Sequence, residues 1–224
     1  FNVNRENQLY YCFGCGSGGN IFNYLMNTRH LSFPEAVQFL AQQAGIELPH
    51  QSPAQRELAS KAQKLRELNR LAAQYYYRML RTSSGEYARS YLMQRGIKEH
   101  LSRYFYLRYD PARCDRLVKF LQSNTELPLE LAEEAGLIIK GKHGYYDRFR
   151  NRVMFPILDL NRRFIGFGGR IIGSGNPKYL NTPETIVFHK GKNLYGLNWS
   201  RDSIKQNGCI VLVEGYTDCI SLHA

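Results

Sequence analysis

From Leu58 to Met79 apolar residues return every three or four positions, at Leu58, Ala62, Leu65, Leu68, Ala72, Tyr75 and Met79, and beyond Leu137 that spacing gives way to strand-like runs. The first pattern lays one apolar face along a helix; the second belongs to extended chain. A chain carrying both in series folds as a mixed α+β protein, with one long amphipathic helix from Ala54 to Arg81 packed on the remainder. Shorter helices are predicted at 87–95, 98–104, 115–121 and 129–134, with Gly96 and Gly136 as stop signals. Strands at Val153–Leu158 and Phe164–Phe167 flank a turn at Leu160-Asn161-Arg162, and Lys140–Gly144 reads as a hairpin turn. The continuous apolar run Cys209–Val213 predicts a buried parallel strand.

The N-terminal segment is organised differently. Residues Phe1–Tyr11 alternate weakly about Arg5-Glu6-Asn7-Gln8, which predicts a β-hairpin leading into Cys12-Phe13-Gly14-Cys15-Gly16. An apolar helix follows near 20–27. Ser32-Phe33-Pro34-Glu35 is a capping-box pattern, opening a helix that Gly45 should end. This unit spans residues 1–50, and 51–56, with Ser52 and Pro53, reads as a linker.

Cys12 and Cys15 at a hairpin end bring two thiolates to one side of a tight turn, which is half of a tetrahedral zinc site. His30 stands alone, and Cys114, Cys209 and Cys219 lie about 100 residues away or more. Two free thiols, or a redox pair, is the alternative reading. Five cysteines with no framework spacing point to a reducing compartment, the cytoplasm. The chain begins at Phe1 rather than Met and stops at Ala224 without a tail-like composition, so both ends read as cut. With a ligand pair lost upstream, zinc is expected to bind weakly or not at all. No apolar run approaches the roughly 20 residues that cross a bilayer, so no membrane partner is expected.

Positive charge is concentrated. The net charge is +11, and Lys140–Lys205 holds 13 Lys/Arg against 4 Asp/Glu, leaving 17 against 15 for the rest. A solvated surface mixes its signs, so a one-sided excess points to phosphates. The same stretch interleaves Tyr145, Tyr146, Phe149, Phe164, Phe167 and Tyr179 with Arg148, Arg150, Arg152, Arg170 and Lys178. Cations can hold backbone phosphates while rings stack unpaired bases. Most of the phenylalanines read equally well as core.

Glu214 follows the apolar run directly and Asp218 comes four residues later, at the start of a predicted helix 219–224. Carboxylates at the carboxyl end of a parallel strand suit Mg²⁺ or Mn²⁺, which take oxygen ligands and neutralise charge in phosphoryl transfer. Taken alone, Asp218 also reads as a helix cap.

Several stretches together resemble the bacterial DnaG-type DNA primases: Tyr-Tyr-Cys-Phe-Gly-Cys-Gly (10–16), Tyr-Leu-Met-Gln-Arg-Gly (91–96), Tyr-Asp-Arg-Phe-Arg-Asn-Arg-Val-Met-Phe-Pro-Ile (146–157) and Gly-Phe-Gly-Gly-Arg (166–170). Pro-Lys-Tyr-Leu-Asn-Thr-Pro-Glu-Thr (177–185), Phe-His-Lys-Gly (188–191), Leu-Tyr-Gly-Leu (194–197) and Val-Glu-Gly-Tyr-Thr-Asp (213–218) continue the series. The resemblance implies the end of a β zinc ribbon over 1–50 and a basic, mixed α/β, template-guiding subdomain of an RNA polymerase over 57–207. Residues 208–224 would then be the first strand and helix start of a truncated α/β Toprim domain.

It further implies a primase that makes short RNA primers from nucleoside triphosphates on single-stranded DNA. Structural zinc at Cys12 and Cys15 and catalytic Mg²⁺ or Mn²⁺ at Glu214 and Asp218 follow from the same resemblance, with Glu214 a candidate general base. Arg95, Arg148, Arg170, Lys178, Tyr179 and Lys190 are the leading candidates for the DNA- and nucleotide-binding surface, and Arg150, Arg152, Asn181 and Lys192 the next. A replicative DNA helicase, reached through a C-terminal domain not in this chain, and a single-stranded DNA-binding protein are the partners implied. Because acidic residues of that family lie beyond Ala224, this piece alone is expected to bind DNA or nucleotide without synthesis. A phage-type primase-helicase and a non-catalytic single-stranded DNA-binding module remain as alternatives.

Overall fold

The computed structural model describes residues 1–29, 31–46, 52–112 and 115–223. His30, Cys114, the end of the expected first unit and the first linker residue Gln51 lie outside the described residues. The chain divides into two compact units, Phe1–Arg56 and Glu57–Ala224.

In the first unit, strand β1 (Asn2–Asn4) pairs antiparallel with β2 (Leu9–Tyr11), and β2 with the short β3 (Gly18–Gly19). The hairpin turns where the sequence predicts, over residues 5–8. Helix α1 (Ile21–Arg29) is capped reciprocally: Asn23 N–H donates to Asn20 Oδ1 and Asn20 N–H to Asn23 Oδ1, each at 3.1 Å. In α2 (Phe33–Ala44) the Glu35 carboxylate accepts the backbone N–H of Ser32 at 2.7 Å and its hydroxyl at 2.6 Å. Gly45 closes that helix in the left-handed conformation, which a residue without Cβ adopts at no steric cost. Tyr10 is the hub of a small core, stacked on Phe1 at 5.5 Å and edge-on to Tyr24 at 5.4 Å.

The long helix α3 runs Pro53–Arg81, so residues 53–56 of the expected linker are helical. At 1.5 Å per residue it spans about 43 Å. Its apolar stripe is buried from Leu65 onward, whereas Leu58 is 55% exposed. The periodicity marks a face but not how far the packing partner extends, and here the partner stops short of Leu58. Helices α4 (Glu86–Gln94), α5 (Glu99–Tyr104), α6 (Arg116–Asn124) and α7 (Leu129–Glu134) follow the predicted order. Strand β4 (Arg108–Asp110), between α5 and α6, had no sequence signal.

The hairpin β5 (Ile138–Gly141) and β6 (Gly144–Asp147) turns at the expected place. The principal sheet adds β7 (Arg152–Leu158), β8 (Phe164–Ile171) and β9 (Tyr179–Asn181), in the order β4-β7-β8-β9 and antiparallel throughout. Every residue of β7 is buried. Successive side chains of a strand point to opposite faces, and β7 obeys this: Met154 joins the cluster built on α3, α6 and α7. Its neighbours Val153 and Phe155 join a second cluster with α4, α5 and helix α9 (Tyr216–Ser221). Before α9 comes α8 (Leu197–Asn207). Burying each large apolar side chain of these clusters contributes about 1.5–3 kcal/mol.

One expectation fails. Residues 209–213 form no strand, and Ile210, Val211, Leu212 and Val213 are 49, 68, 72 and 41% exposed. An extended segment becomes a strand only when a neighbour takes its N–H and C=O groups, and no described strand lies alongside this one. Among the described residues, no helix is long and apolar enough to cross a membrane.

Candidate functional site

A cleft of about 770 Å³ in the second unit gathers Arg95, Arg170, Lys178, Tyr179, Asn181, Glu214 and Asp218, drawn from segments far apart in sequence. Half of the fourteen residues singled out from the sequence therefore meet in one place. β8 and β9 supply the floor, where Arg170 stands directly opposite Tyr179 in the register. Arg170 is buried and donates a hydrogen bond to the Tyr179 hydroxyl. Its guanidinium also lies 5.1 Å from the Tyr179 ring and 5.8 Å from that of Tyr91, and Arg95 approaches the same Tyr91 ring at 5.1 Å. The result is an alternating line of cation and ring, Arg95–Tyr91–Arg170–Tyr179, on which phosphates and bases can both be held. Among the described residues, Arg95, Arg170 and Lys178 make no ion pair, so their charge is free for an anion.

The acidic edge is carried by the turn into α9. Tyr216, at its first position, holds this segment to the sheet: its hydroxyl donates to Asn181 Oδ1 at 3.0 Å and its ring stacks on Phe155 at 5.1 Å. Tyr195 meets it edge-on at 4.8 Å. Gly168 of β8 makes the approach possible, because a Cβ there would collide with the Tyr216 ring. Burial pushes the Tyr216 phenol up to about 12, so it donates and stays neutral at ordinary pH. Glu214 and Asp218 are both exposed to the cleft. Sequence reasoning quoted Tyr216 and the 194–197 motif as marks of resemblance but gave them no role.

The other candidates are elsewhere. Arg152 is buried, and its guanidinium donates to the carbonyls of Pro177 at 2.8 Å and of Gly169 and Lys178 at 3.3 Å. Its charge is spent on holding the segment before β9 rather than offered to solvent. Arg148 is half-buried and donates to the carbonyl of Asn181, a cleft residue, at 3.4 Å. Arg150 is exposed, 5.2 Å from the Tyr146 ring. Lys190 and Lys192 are exposed on a short 3₁₀ turn, held through Glu184, which accepts the Lys190 N–H at 2.9 Å. None of these five lines the cleft.

In the first unit, the Cys12 and Cys15 turn is closed by Gly16 N–H donating to Cys12 carbonyl at 2.8 Å. The Cys12 thiol is held below its ordinary value, chiefly by hydrogen bonds from the backbone N–H and side chain of Cys15 and from the Gly14 N–H. A thiolate turned toward backbone amides is the form that binds zinc, so this pair fits that metal. Glu214 and Asp218 offer the oxygens that Mg²⁺ prefers, and two carboxylates fit an ion that keeps several waters. Among the described residues, no three His, Cys, Asp or Glu side chains are grouped to hold a metal ion.

Two families match the sequence: the CHC2 zinc finger over residues 1–56 and the DNA primase catalytic core, N-terminal domain, over 75–201. A DNA primase of Clostridium acetobutylicum is 43% identical over 226 residues, covering 100% of this chain and 37% of its own length. The chain spans about a third of the length of the curated relatives it matches. Among solved structures, the Aquifex aeolicus primase (zinc-binding and RNA polymerase domains) aligns with a TM-score of 0.66 at 35% identity, over 99% of this chain and 53% of that one. A DnaG primase catalytic domain bound to single-stranded DNA aligns with a TM-score of 0.69 at 37% identity, over 74% and 53%.

Proposed function

The chain belongs to the DnaG family of bacterial DNA primases, and on that premise we propose that its parent protein synthesises short RNA primers from nucleoside triphosphates on a single-stranded DNA template, at the replication fork in the cytoplasm. The observation that carries this reading is the cleft itself, which joins cations without an ion pair among the described residues, and the exposed ring of Tyr179, to two carboxylates. Lys178 and Arg95 hold template or nucleotide phosphates, and Tyr179 offers a ring to a base. Arg170 keeps Tyr179 in place through its hydrogen bond. Arg148, Arg150, Lys190 and Lys192 extend the positive surface outside the cleft. Glu214 and Asp218 begin a Toprim domain at 208–224 and would hold Mg²⁺ or Mn²⁺. When bound, that ion neutralises charge developing on the phosphates and activates the attacking hydroxyl. Tyr216 fixes where the two carboxylates stand.

Cys12 and Cys15 are read as one ligand pair of a structural zinc, completed from outside the described residues. A replicative helicase and a single-stranded DNA-binding protein are the partners of the whole protein. By itself, this stretch binds DNA or nucleotide without making RNA.

Glu214→Gln in the full-length parent, with template, Mg²⁺ and four ribonucleotides, tests the reading. It is expected to stop synthesis and leave single-stranded DNA binding in place. A parent that makes no RNA, or a variant that synthesises normally, overturns it; a pure binding module would be unaffected by the change.

A further inference from the structure

Arg108 opens β4 and is 6% exposed, yet among the described residues no carboxylate or carbonyl accepts a hydrogen bond from its side chain. Its Nε is buried without a partner. What surrounds it is aromatic: the guanidinium lies 5.0 Å from the Tyr77 ring, 5.6 Å from Phe164 and 5.8 Å from Tyr106. Rings attract a cation through their faces but cannot satisfy its five N–H groups. Arg108 also faces the positive charge of Arg81, which covers the Tyr77 ring at 3.6 Å, and the carboxylate that acts on Arg81, Glu99, is paired with Arg103. Burial pushes the Arg108 pKa down to about 10, the mark of a charge without compensation.

This group is not part of the cleft. Arg108 stands opposite Met154 in the register, on the sheet face covered by α3, while Arg170 stands opposite Val153, on the other face. Of the Arg108 side-chain nitrogens, Nε is the one that is both fully buried and without a partner among the described residues. A phosphate offers two oxygens in the planar geometry that a guanidinium matches. Tyr106 is 40% exposed beside it, a ring of the kind on which an unpaired base stacks.

We propose that Arg108, with Arg81 and Tyr106, forms a second contact for single-stranded DNA at the β4 edge of the sheet, away from the cleft, a backbone phosphate taking the free guanidinium donors and an adjacent base stacking on Tyr106. The inference rests on the nucleic-acid reading of the chain. It extends the footprint of the strand beyond the cleft and makes the β4 edge of the sheet share in the affinity.

The test compares the 224-residue chain with Arg108→Met and Lys178→Ala by fluorescence anisotropy, using labelled single-stranded DNA over a range of NaCl concentrations. Met keeps an unbranched apolar side chain among the rings and removes an uncompensated charge, so the melting temperature should not fall. Arg108→Met is expected to weaken binding about tenfold and to lower the salt slope by about one phosphate contact. If Lys178→Ala weakens binding while Arg108→Met matches the parent in affinity and slope, the second contact is wrong and the cleft reading survives. If the parent binds no DNA, the nucleic-acid reading fails and this inference with it. Photocross-linking of the unaltered chain to DNA carrying 5-iododeoxyuridine gives a check independent of any variant. An adduct on the Tyr106 peptide supports the contact, and adducts confined to Tyr179 refute it.

Discussion

The Tyr216 hydroxyl donates to Asn181 Oδ1 at 3.0 Å, and that bond fastens the segment bearing Glu214 and Asp218 to the strand that carries Tyr179. Cationic floor and acidic edge are thus held at a fixed separation by a residue belonging to neither group. The stacking of Tyr216 on Phe155 adds apolar burial, while the hydrogen bond fixes direction.

Removing only the bond separates these contributions. Tyr216→Phe keeps the ring and removes a buried neutral hydrogen bond worth about 1 kcal/mol net, so the melting temperature should fall by only about 2–4 °C. Synthesis by the full-length protein should fall while single-stranded DNA binding is kept. Primer synthesis and single-stranded DNA binding are measured side by side. Equal loss in both would mean that the bond serves the strand-binding floor rather than the acidic edge.

Gly168→Ala attacks the same contact from the sheet. The added Cβ would collide with the Tyr216 ring, and relief requires moving α9 or bending β8. Overpacking of this kind costs about 1–3 kcal/mol. Calorimetry should show a lowered melting temperature, and in a Tyr216→Ala background, where the obstructing ring is gone, Gly168→Ala should lower it by less. An equal drop in both backgrounds would place the strain elsewhere.

Arg152 and Lys178 are both basic residues of the same charged stretch, and the structure gives them opposite consequences. Arg152→Met leaves three carbonyl contacts unmet beneath β9 and should cost about 2–3 kcal/mol of stability. Lys178→Ala should leave stability unchanged, weaken single-stranded DNA binding and reduce its salt slope by about one contact. Chemical denaturation and anisotropy, run on both variants, distinguish the two patterns.

That contrast shows what the residues disclose by themselves. Ser32, Glu35 and Gly45 act within a few positions of each other, so their cap and stop could be read directly. Arg152, though ranked behind Lys178, reads in the sequence as a surface cation like it, because the carbonyls of residues 169, 177 and 178 reach it only through strand pairing. Cys209–Val213 has the composition of a buried strand, but composition does not report whether a neighbour stands beside it. Tyr216 lay inside a recognised motif, and its role emerged only from contact with Gly168 and Asn181. Arg108 gave no signal, since one arginine before a short strand resembles any other.

Two buried carboxyls make stability depend on pH. Asp147 accepts the N–H groups of Leu117 at 3.0 Å and Val118 at 3.1 Å, capping α6 from another element. Burial outweighs those bonds and pushes its pKa up to about 6. Asp110 is fully buried, both its oxygens have no partner among the described residues, and burial, reinforced by Asp147, raises it well above the ordinary carboxyl range. Both groups therefore bind protons more tightly folded than unfolded, and stabilisation present below pH about 4 is lost as pH rises. For Asp147 the loss falls between about pH 4 and 6 and amounts to roughly 3 kcal/mol, at 1.36 kcal/mol per pKa unit; for Asp110 it continues to higher pH. Asp110→Asn substitutes a neutral group of similar shape, so its melting temperature should match the parent near pH 4 and exceed it at pH 8. Calorimetry at pH 4, 6 and 8 reads the difference between the two proteins, in which the titration of all other groups cancels. A variant less stable than the parent at pH 8 would mean that the Asp110 carboxylate is ionised and engaged by a donor in the folded chain.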